Sequence, residues 1–593
     1  MSITVTRVFD IIRYNLENFP KEEFISGKIN GVWQKYSTQR FSDAVDELSK
    51  GLIGIGIKKG DRVAVMSHNR PEWNITDFAI NQIGAYHVPL YPTLAEHDVK
   101  FILENAGVSV IFLADGLLHQ KVKAVSLAIN PDIKLYTFDE VEGVANYMTL
   151  VDAGAADTQT DLEIYRSAVT PDDVLTLIYT SGTTGTPKGV MLTHNNLVQN
   201  FKNLASIFPG GVRKVLSFLP LSHIFERMIT YLYLYTNASL YYAESMETIV
   251  KDIQFVQPNC FSTVPRLLEK VYDKIMEKGK ELTGVKKKIF YWSVSLAEKY
   301  EMDNDWFYHL KLAIARKLVF KKWREALGGE IIVIVSGGAA LNPRLARIFW
   351  AAGLPVVEGY GLTETSPVIT VNYFDNTMFG TVGPAINGVE VKIAADGEVL
   401  TRGHHIMKGY YLRDDLTAET IDSEGWFHTG DIGELINGKY LKITDRKKEI
   451  FKTAGGKYVA PQTLENKYKE SMLVEQIMVL GENRKFPSAL IVPNFAALKS
   501  WCAKKGINYS SDEEIVKNPE VIEKFNQEII GLSTDFGKWE QVKRFVLLSK
   551  EWSIEGGEFT PKLSLKRKVI LEKNKDLIEK MYKDADDYKS EPH

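Results

Sequence analysis

The stretch Tyr179–Val190, YTSGTTGTPKGV, runs on from the apolar segment LTLIY and gathers hydroxyls, glycines and one lysine at the end of a buried strand. Glycine lets a backbone turn tightly and aim its amides at an anion. Gly182, Gly185 and Gly189, the hydroxyls of Thr180, Ser181, Thr183, Thr184 and Thr186, and the ammonium of Lys188 therefore predict a loop that holds phosphate. It is not a Walker A loop. That motif ends in Gly-Lys-Ser/Thr, whereas here Pro187 precedes the lysine and Gly189 follows it. The plain alternative, a polar surface loop, needs no such clustering.

Around this loop, from Asp61 to Gly361, short apolar runs such as DRVAVMS, KVLSFLPL, NCFSTVP, EIIVIVSGG and PVVEGYG alternate with helical stretches such as PRLLEKVYDKIMEKG. The pattern predicts an α/β fold with a largely parallel sheet. Ligands in such sheets bind beyond the carboxyl ends of strands, where Thr180, Gly337 and Tyr360 fall. From about Gly380 to Thr444 the texture changes to glycine-punctuated short strands, a small β subdomain. The charged pentad DRKKE, residues 445–449, then reads either as an interdomain hinge or as a solvated turn. The expected organisation is an N-terminal domain over 1–444 (β subdomain 380–444), a hinge at 445–449, and a smaller, mobile α+β domain over 450–593.

Composition narrows the partners. The 593 residues are 45% hydrophobic and 25% charged with net charge −3, which predicts an ordinary globular protein and no nucleic-acid partner. Only Cys260 and Cys502 occur, so a disulfide framework is excluded and a reducing compartment, the cytoplasm, is expected. No segment approaches the roughly 20 apolar residues of a membrane span, and the start carries charges throughout, unlike a signal peptide.

Four further constellations bear on chemistry. In LPLSHIFER, His223 follows a strand expected to end at the same sheet edge as the phosphate loop; a structural histidine is the alternative. In VVEGYGLTET, Gly359 and Gly361 flank Tyr360, whose ring can stack on a base, and Thr363 and Glu364 offer oxygens to a phosphate-bound Mg²⁺. In WFHTGDIG, Asp431 can accept from a ribose diol, or is merely a turn aspartate. In EFTPKLSLKRK, a lysine-bearing loop near the C-terminus reaches an active site only if its domain swings.

The order and context of these motifs resemble the adenylate-forming enzymes, and within them the long-chain acyl-CoA synthetases, over nearly the whole chain. YTSGTTGTPKGV matches that family's phosphate loop, GYGLTET its adenine and magnesium segment, and HTGD with DRKK its ribose and hinge segment. The resemblance implies ATP-dependent activation of a fatty acid through an acyl-adenylate to acyl-CoA, with Mg²⁺, ATP and coenzyme A. It assigns Lys188 to the phosphates, Glu364 to the metal, Arg446 to ribose or phosphate, and His223 to the neighbourhood of the acyl carboxylate. Gly337, Gly338 and Ala339 become a wall between adenine and acyl chain, with Glu358 and Tyr360 on the adenine segment. Lys448, beside Asp445, becomes the hinge, and Gly455 and Gly456 the face that approaches pantetheine.

Two positions depart from the family pattern. The lysine of the final motif aligns with Ser564; Lys562, on the same side of an extended strand, is the proposed substitute, with Lys566 in reserve. Some bacterial relatives carry a tryptophan gate where Arg227 stands, which leaves Phe225 or Tyr231 as gate candidates. The competing readings are an acyl-AMP ligase that serves a carrier protein, and a catalytically silent ATP- or acyl-binding protein. The C-terminal LSLKRKVILEKNKDLIEKMYK mixes lysines with apolar positions as interfacial helices do, although its acidic residues suit a solvated helix; peripheral membrane contact and oligomerisation both stay open.

Overall fold

The apolar runs all form strands, but they sort into two large sheets. A computed structural model of the chain describes residues 3–29, 31–181, 186–245, 247–553, 555–559 and 565–587. One sheet has seven strands, in the order Gly409–Tyr410, Pro187–Thr193, Val174–Ser181, Tyr86–Leu90, Arg62–Met66, Val108–Leu113, Lys134–Thr137. The other has eight, in the order Val368–Val371, Val356–Gly361, Val333–Ser336, Cys260–Thr263, Lys214–Ser217, Ser239–Tyr242, Ile25–Ile29, Val32–Tyr36. Their inner strands are parallel and buried on both faces, as at Cys260–Thr263 and Val333–Ser336, which is why these sequences are continuous apolar runs without alternation.

Antiparallel pairing appears only toward sheet edges, and two of those edges carry the motifs. Val174–Ser181 turns back into Pro187–Thr193 as a hairpin, with Thr180 opposite Lys188 and Ser181 opposite Pro187. Gly409–Tyr410 then adds antiparallel to the outer side, with Tyr410 opposite Val190. In the eight-stranded sheet, Val356–Gly361 pairs antiparallel with Val368–Val371, with a register shift between Tyr360 and Gly361.

This arrangement corrects one expectation. His223 follows Lys214–Ser217, a strand of the eight-stranded sheet, and so does not share an edge with the strand Val174–Ser181 of the other sheet. The chain leaves the first sheet through the helix His194–Ala205, started by a capping box between Thr193 and Asn196, before the second sheet resumes. Sequence alternation reports the strands but not the change of sheet.

The chain divides into two compact units, Met1–Lys392 with Leu400–Thr429 and Ile436–Leu441, and Ile393–Val399 with Gly430–Leu435 and Lys442–His593. In the second unit a three-stranded sheet runs Val474–Leu480, Ser488–Pro493, Arg544–Leu547. Its side chains alternate with period two: Ile477, Val479, Ala489 and Ile491 join one core with Leu464, Tyr468 and Phe525, while Met478, Leu480, Leu490 and Val492 join another with Ile570, Ile578 and Met581. The lysine-rich C-terminal stretch is two helices, Arg567–Lys573 and Lys575–Asp587, whose apolar residues Ile570, Ile578, Met581 and Tyr582 are buried in that core. Among the described residues no helix is long and apolar enough to cross a membrane.

Candidate active site

In the first unit, three side chains from distant parts of the sequence meet at the edge of the seven-stranded sheet. Backbone bonds from Tyr411 N to Gly189 O (2.7 Å) and from Lys408 N to Met191 O (3.0 Å) dock the strand Gly409–Tyr410 against the strand of Lys188. The Tyr410 ring thereby lies under the Lys188 ammonium, 5.0 Å from Nζ to the ring centroid. The same tyrosine donates its hydroxyl to Glu364 Oε1 at 3.0 Å, and Met407 N binds the Glu364 carbonyl at 2.8 Å. Burial and the neighbouring Glu364 carboxylate push the Tyr410 hydroxyl well above its ordinary pKa, so it stays a donor. Asn196, in the first turn of its helix, bonds the carbonyls of His404 (2.7 Å) and Ile406 (2.9 Å) and so holds the approach to this strand.

Lys188 meets no carboxylate among the described residues. An ammonium over a ring face keeps most of its attraction for an incoming anion. Glu364, half-buried, has a hard oxygen pair of which one atom is steadied by Tyr410. Among the described residues no group of three or more His, Cys, Asp and Glu is placed to hold a metal. A Mg²⁺ here would suit one carboxylate plus substrate phosphates, the arrangement this ion commonly takes.

The GYGLTET segment is shaped by backbone contact. A Cβ at Gly361 would lie 1.7 Å from the carbonyl oxygen of Pro367, so only glycine allows the chain to fold back on itself beside Tyr360. Thr363 is buried in the short 3-10 turn with Glu364. Glu358 is buried, and its carboxyl, pushed up to about 8 by burial, accepts from Leu341 N at 2.8 Å. It faces the backbone just beyond Gly337, Gly338 and Ala339. Gly337 follows its strand directly and is buried, whereas Gly338, in a left-handed conformation (φ +79°), and Ala339 are exposed. The Phe225 ring closes on Gly337, with its nearest atom 3.0 Å from where a Cβ would stand.

His223 is the N-cap of the helix Ile224–Tyr235, its Nδ1 accepting from Phe225 N at 3.1 Å. The ring proton of the neutral imidazole is then on Nε2. Asn69 fixes the LPLSH segment from the other sheet, donating to Leu219 O at 2.6 Å and accepting from Leu221 N at 3.0 Å. The same helix is anchored by two buried residues in succession. Arg227 pairs with Asp77 and donates to Thr176 Oγ1 at 2.8 Å, on the strand Val174–Ser181; His87 and Tyr231 complete the cluster. Arg227 and Tyr231 are thus locked in the interior, leaving Phe225 as the half-buried aromatic of this turn. Glu226 accepts from Ser217 and Ser262, and burial pushes its carboxyl up to about 7.

In the second unit, Asp431 is buried and lies 3.4 Å from the half-exposed guanidinium of Arg446. The pentad 445–449 is secured residue by residue. Asp445, pushed up to about 6 by burial, accepts from the amides of Arg446 (2.6 Å) and Gln462 (2.9 Å). Lys447 is clamped between Asp396 (2.7 Å) and Glu398 (2.8 Å), and Glu449 binds Arg567 at 2.9 Å. Lys448 is exposed. Gly455 and Gly456 form the exposed turn between the strands Phe451–Lys452 and Tyr458–Val459, Gly456 with φ +73°. Gly182, Thr183, Thr184, Gly185, Lys562 and Ser564 lie outside the described residues, and Ser181 ends its strand.

Residues 12–411 match the AMP-binding enzyme family and residues 449–586 match the AMP-binding enzyme C-terminal domain. The chain belongs to the AMP-binding enzyme family. It is 34% identical over 563 residues to a long-chain-fatty-acid–CoA ligase of Mycobacterium bovis, covering 93% of each chain. It is 32% identical to the peroxisomal long chain acyl-CoA synthetase 7 of Arabidopsis thaliana, over 96% of this chain and 85% of that one. The adenylation domain of a carboxylic acid reductase from Segniliparus rugosus, solved with AMP and a co-purified carboxylic acid, shares the fold with a TM-score of 0.74 at 20% identity, over 98% of this chain and 94% of that one.

Sequence reasoning within this AMP-binding enzyme missed Tyr410, Asn69 and Asn196. The signal for Tyr410 is the KGYYL segment, where a glycine before paired tyrosines marks a short edge strand that sends alternate rings to opposite faces.

Proposed function

We propose that this chain joins a long-chain fatty acid to coenzyme A in two steps, through an acyl-adenylate, with release of pyrophosphate and then AMP. The observation that carries the reading is the sheet edge where Tyr410 holds Lys188 and Glu364 together, in a chain whose curated relatives are named for this reaction over nearly their full length.

The chemistry requires it. A carboxylate repels a thiol and has no usable leaving group, so it must first be made a mixed anhydride with AMP. Negative charge then grows on the phosphates. Lys188, with the amides and hydroxyls of Thr180 through Gly185, stabilises that charge by preorganised electrostatics. Glu364 with Thr363 would hold Mg²⁺, which when bound supplies Lewis-acid polarisation of the phosphate oxygens. Tyr360, with Glu358, Gly359 and Gly361, receives the base against the wall Gly337–Ala339, and Asp431 and Arg446 take the ribose. His223 donates through Nε2 toward the acyl carboxylate. The thiol of coenzyme A, guided past Gly455 and Gly456, then displaces AMP.

Residues 1–444 form the adenylation domain in this reading, and Asp445 and Lys448 bound a hinge before the domain 450–593, which delivers Lys562 for the first step. The cytoplasm remains the proposed compartment. Pyrophosphate release with palmitate, compared with acetate and benzoate, tests the substrate class: palmitate should be preferred, and equal rates would refute long-chain specificity. Thioester formation with free coenzyme A separates this reading from an acyl-AMP ligase that needs a carrier protein. Lys562→Ala, but not Lys568→Ala, should depress pyrophosphate release while thiolysis of preformed acyl-adenylate continues; equal effects would remove Lys562 from the site.

A further inference from the structure

The helix Trp306–Ala315 and the wide turn Arg316–Phe320 that continues it present an apolar ridge outward. Leu312, Ala315, Val319, Phe320 and Trp323 are buried against the protein. On the opposite side Trp306 is 76% exposed, Phe307 50%, Leu310 52%, Ile314 47% and Leu318 51%, following the four-residue spacing of one helix face. Large side chains exposed in such a row are not the scattered apolar residues of an ordinary surface.

Charge selects what covers them. From Trp306 to Arg324 the sequence contains no Asp or Glu, and its lysines Lys311, Lys317, Lys321 and Lys322 are exposed, whereas Arg316 turns inward to the carbonyls of Ala351 (2.8 Å) and Trp350 (3.3 Å). The Lys311 ammonium lies over the face of the Phe307 ring, 4.3 Å from Nζ to the centroid. Of the acids around this stretch, Glu298 pairs with Arg344 at 2.5 Å, Glu301 with Arg347 at 2.6 Å and Glu325 with Lys321 at 3.7 Å, while Asp305 caps the helix by accepting from Tyr308 N at 2.7 Å and Asp303 is exposed at its N-terminal end. Lysine is depleted from protein interfaces, whereas Trp, Phe and Leu beside a run of lysines are what an interfacial helix offers to anionic headgroups. We propose that this face docks the protein on an anionic phospholipid bilayer, the apolar ridge entering the headgroup boundary and the lysines flanking it. This face is separate from the proposed adenylation residues, and it moves the membrane contact away from the C-terminal helices, where Ile570, Ile578, Met581 and Tyr582 are buried and Leu571 and Leu577 are the large apolar side chains left exposed among the described residues.

Vesicle flotation of the full chain tests it, with vesicles of phosphatidylcholine alone and of equal parts phosphatidylcholine and phosphatidylglycerol. The wild type should float with the mixed vesicles and dissociate at high salt. Lys317→Gln and Lys322→Gln should each weaken binding about fivefold, and Trp306→Ser with Leu310→Ser by roughly tenfold or more. All variants should keep the wild-type circular dichroism spectrum and activation of a short, water-soluble acid. Wild-type binding no better than to phosphatidylcholine alone, or undiminished binding by the Trp306/Leu310 variant, overturns the proposal. So does a concentration-dependent dimer that this variant abolishes without any vesicle binding, since the ridge would then belong to a second copy.

Discussion

Lys188 at the edge of the seven-stranded sheet and Lys447 in the second unit look interchangeable in sequence, each a lysine in a motif segment that no periodicity places. Their surroundings are opposite. Lys188 rests on the Tyr410 ring and meets no carboxylate among the described residues, while Lys447 is held by Asp396 at 2.7 Å and Glu398 at 2.8 Å. A cation already between two carboxylates has little attraction left for phosphate. One over an aromatic face is positioned and still available. The difference separates charge that shapes the protein from charge left available to a ligand, and Arg227 with Asp77 belongs to the first kind.

The largest effect is expected where shaping charge is broken in the interior. Asp77→Ala strands Arg227 in a site with no exposure and should cost about 3–5 kcal/mol in urea unfolding; a loss near zero would mean that Arg227 finds water or another anion. Lys188→Ala should leave the unfolding curve in place and lower pyrophosphate release about 10²–10³-fold. If the loss tracks stability instead, Lys188 is structural after all.

The buried Glu226 sharpens the same distinction through pH. Its carboxyl is held up to about 7 against an ordinary 4.5, so the folded chain binds this proton more tightly than the unfolded chain. The stability it contributes is complete below pH 4.5 and is lost as pH rises through 7, on the order of 3 kcal/mol over that window. Glu226→Gln should flatten this slope in urea titrations at stepped pH, and an unchanged slope would reassign it to other groups. Tyr410→Phe removes the bond to Glu364 while keeping the ring under Lys188, and should lower adenylation about tenfold. The smallest effect belongs to Lys447→Met, which should change adenylation less than about threefold, because its partners are structural.

Much of the fold was legible because buried parallel strands and amphipathic helices write themselves as apolar runs and periodic faces, and GYGLTET and YTSGTTGTPKGV lie at strand ends as their sequences suggest. The division into two sheets was not legible, since an apolar run does not name its neighbour. Nor was the role of Arg227, which depends on Asp77 far away in sequence, or that of Tyr410, whose importance comes from pairing with the strand of Lys188. The pentad 445–449 read equally as a hinge or a solvated turn because its partners Asp396, Glu398, Gln462 and Arg567 come together only in the fold.

The central claim is that Lys188 and Glu364 handle nucleotide phosphates so that a fatty acid is adenylated. Purified protein incubated with ATP, Mg²⁺ and palmitate, then with coenzyme A, can be resolved by chromatography of its nucleotides and thioesters. The account predicts AMP and pyrophosphate in equal amounts, with palmitoyl-CoA appearing once coenzyme A is added; formation of ADP, or unconsumed ATP, would contradict it.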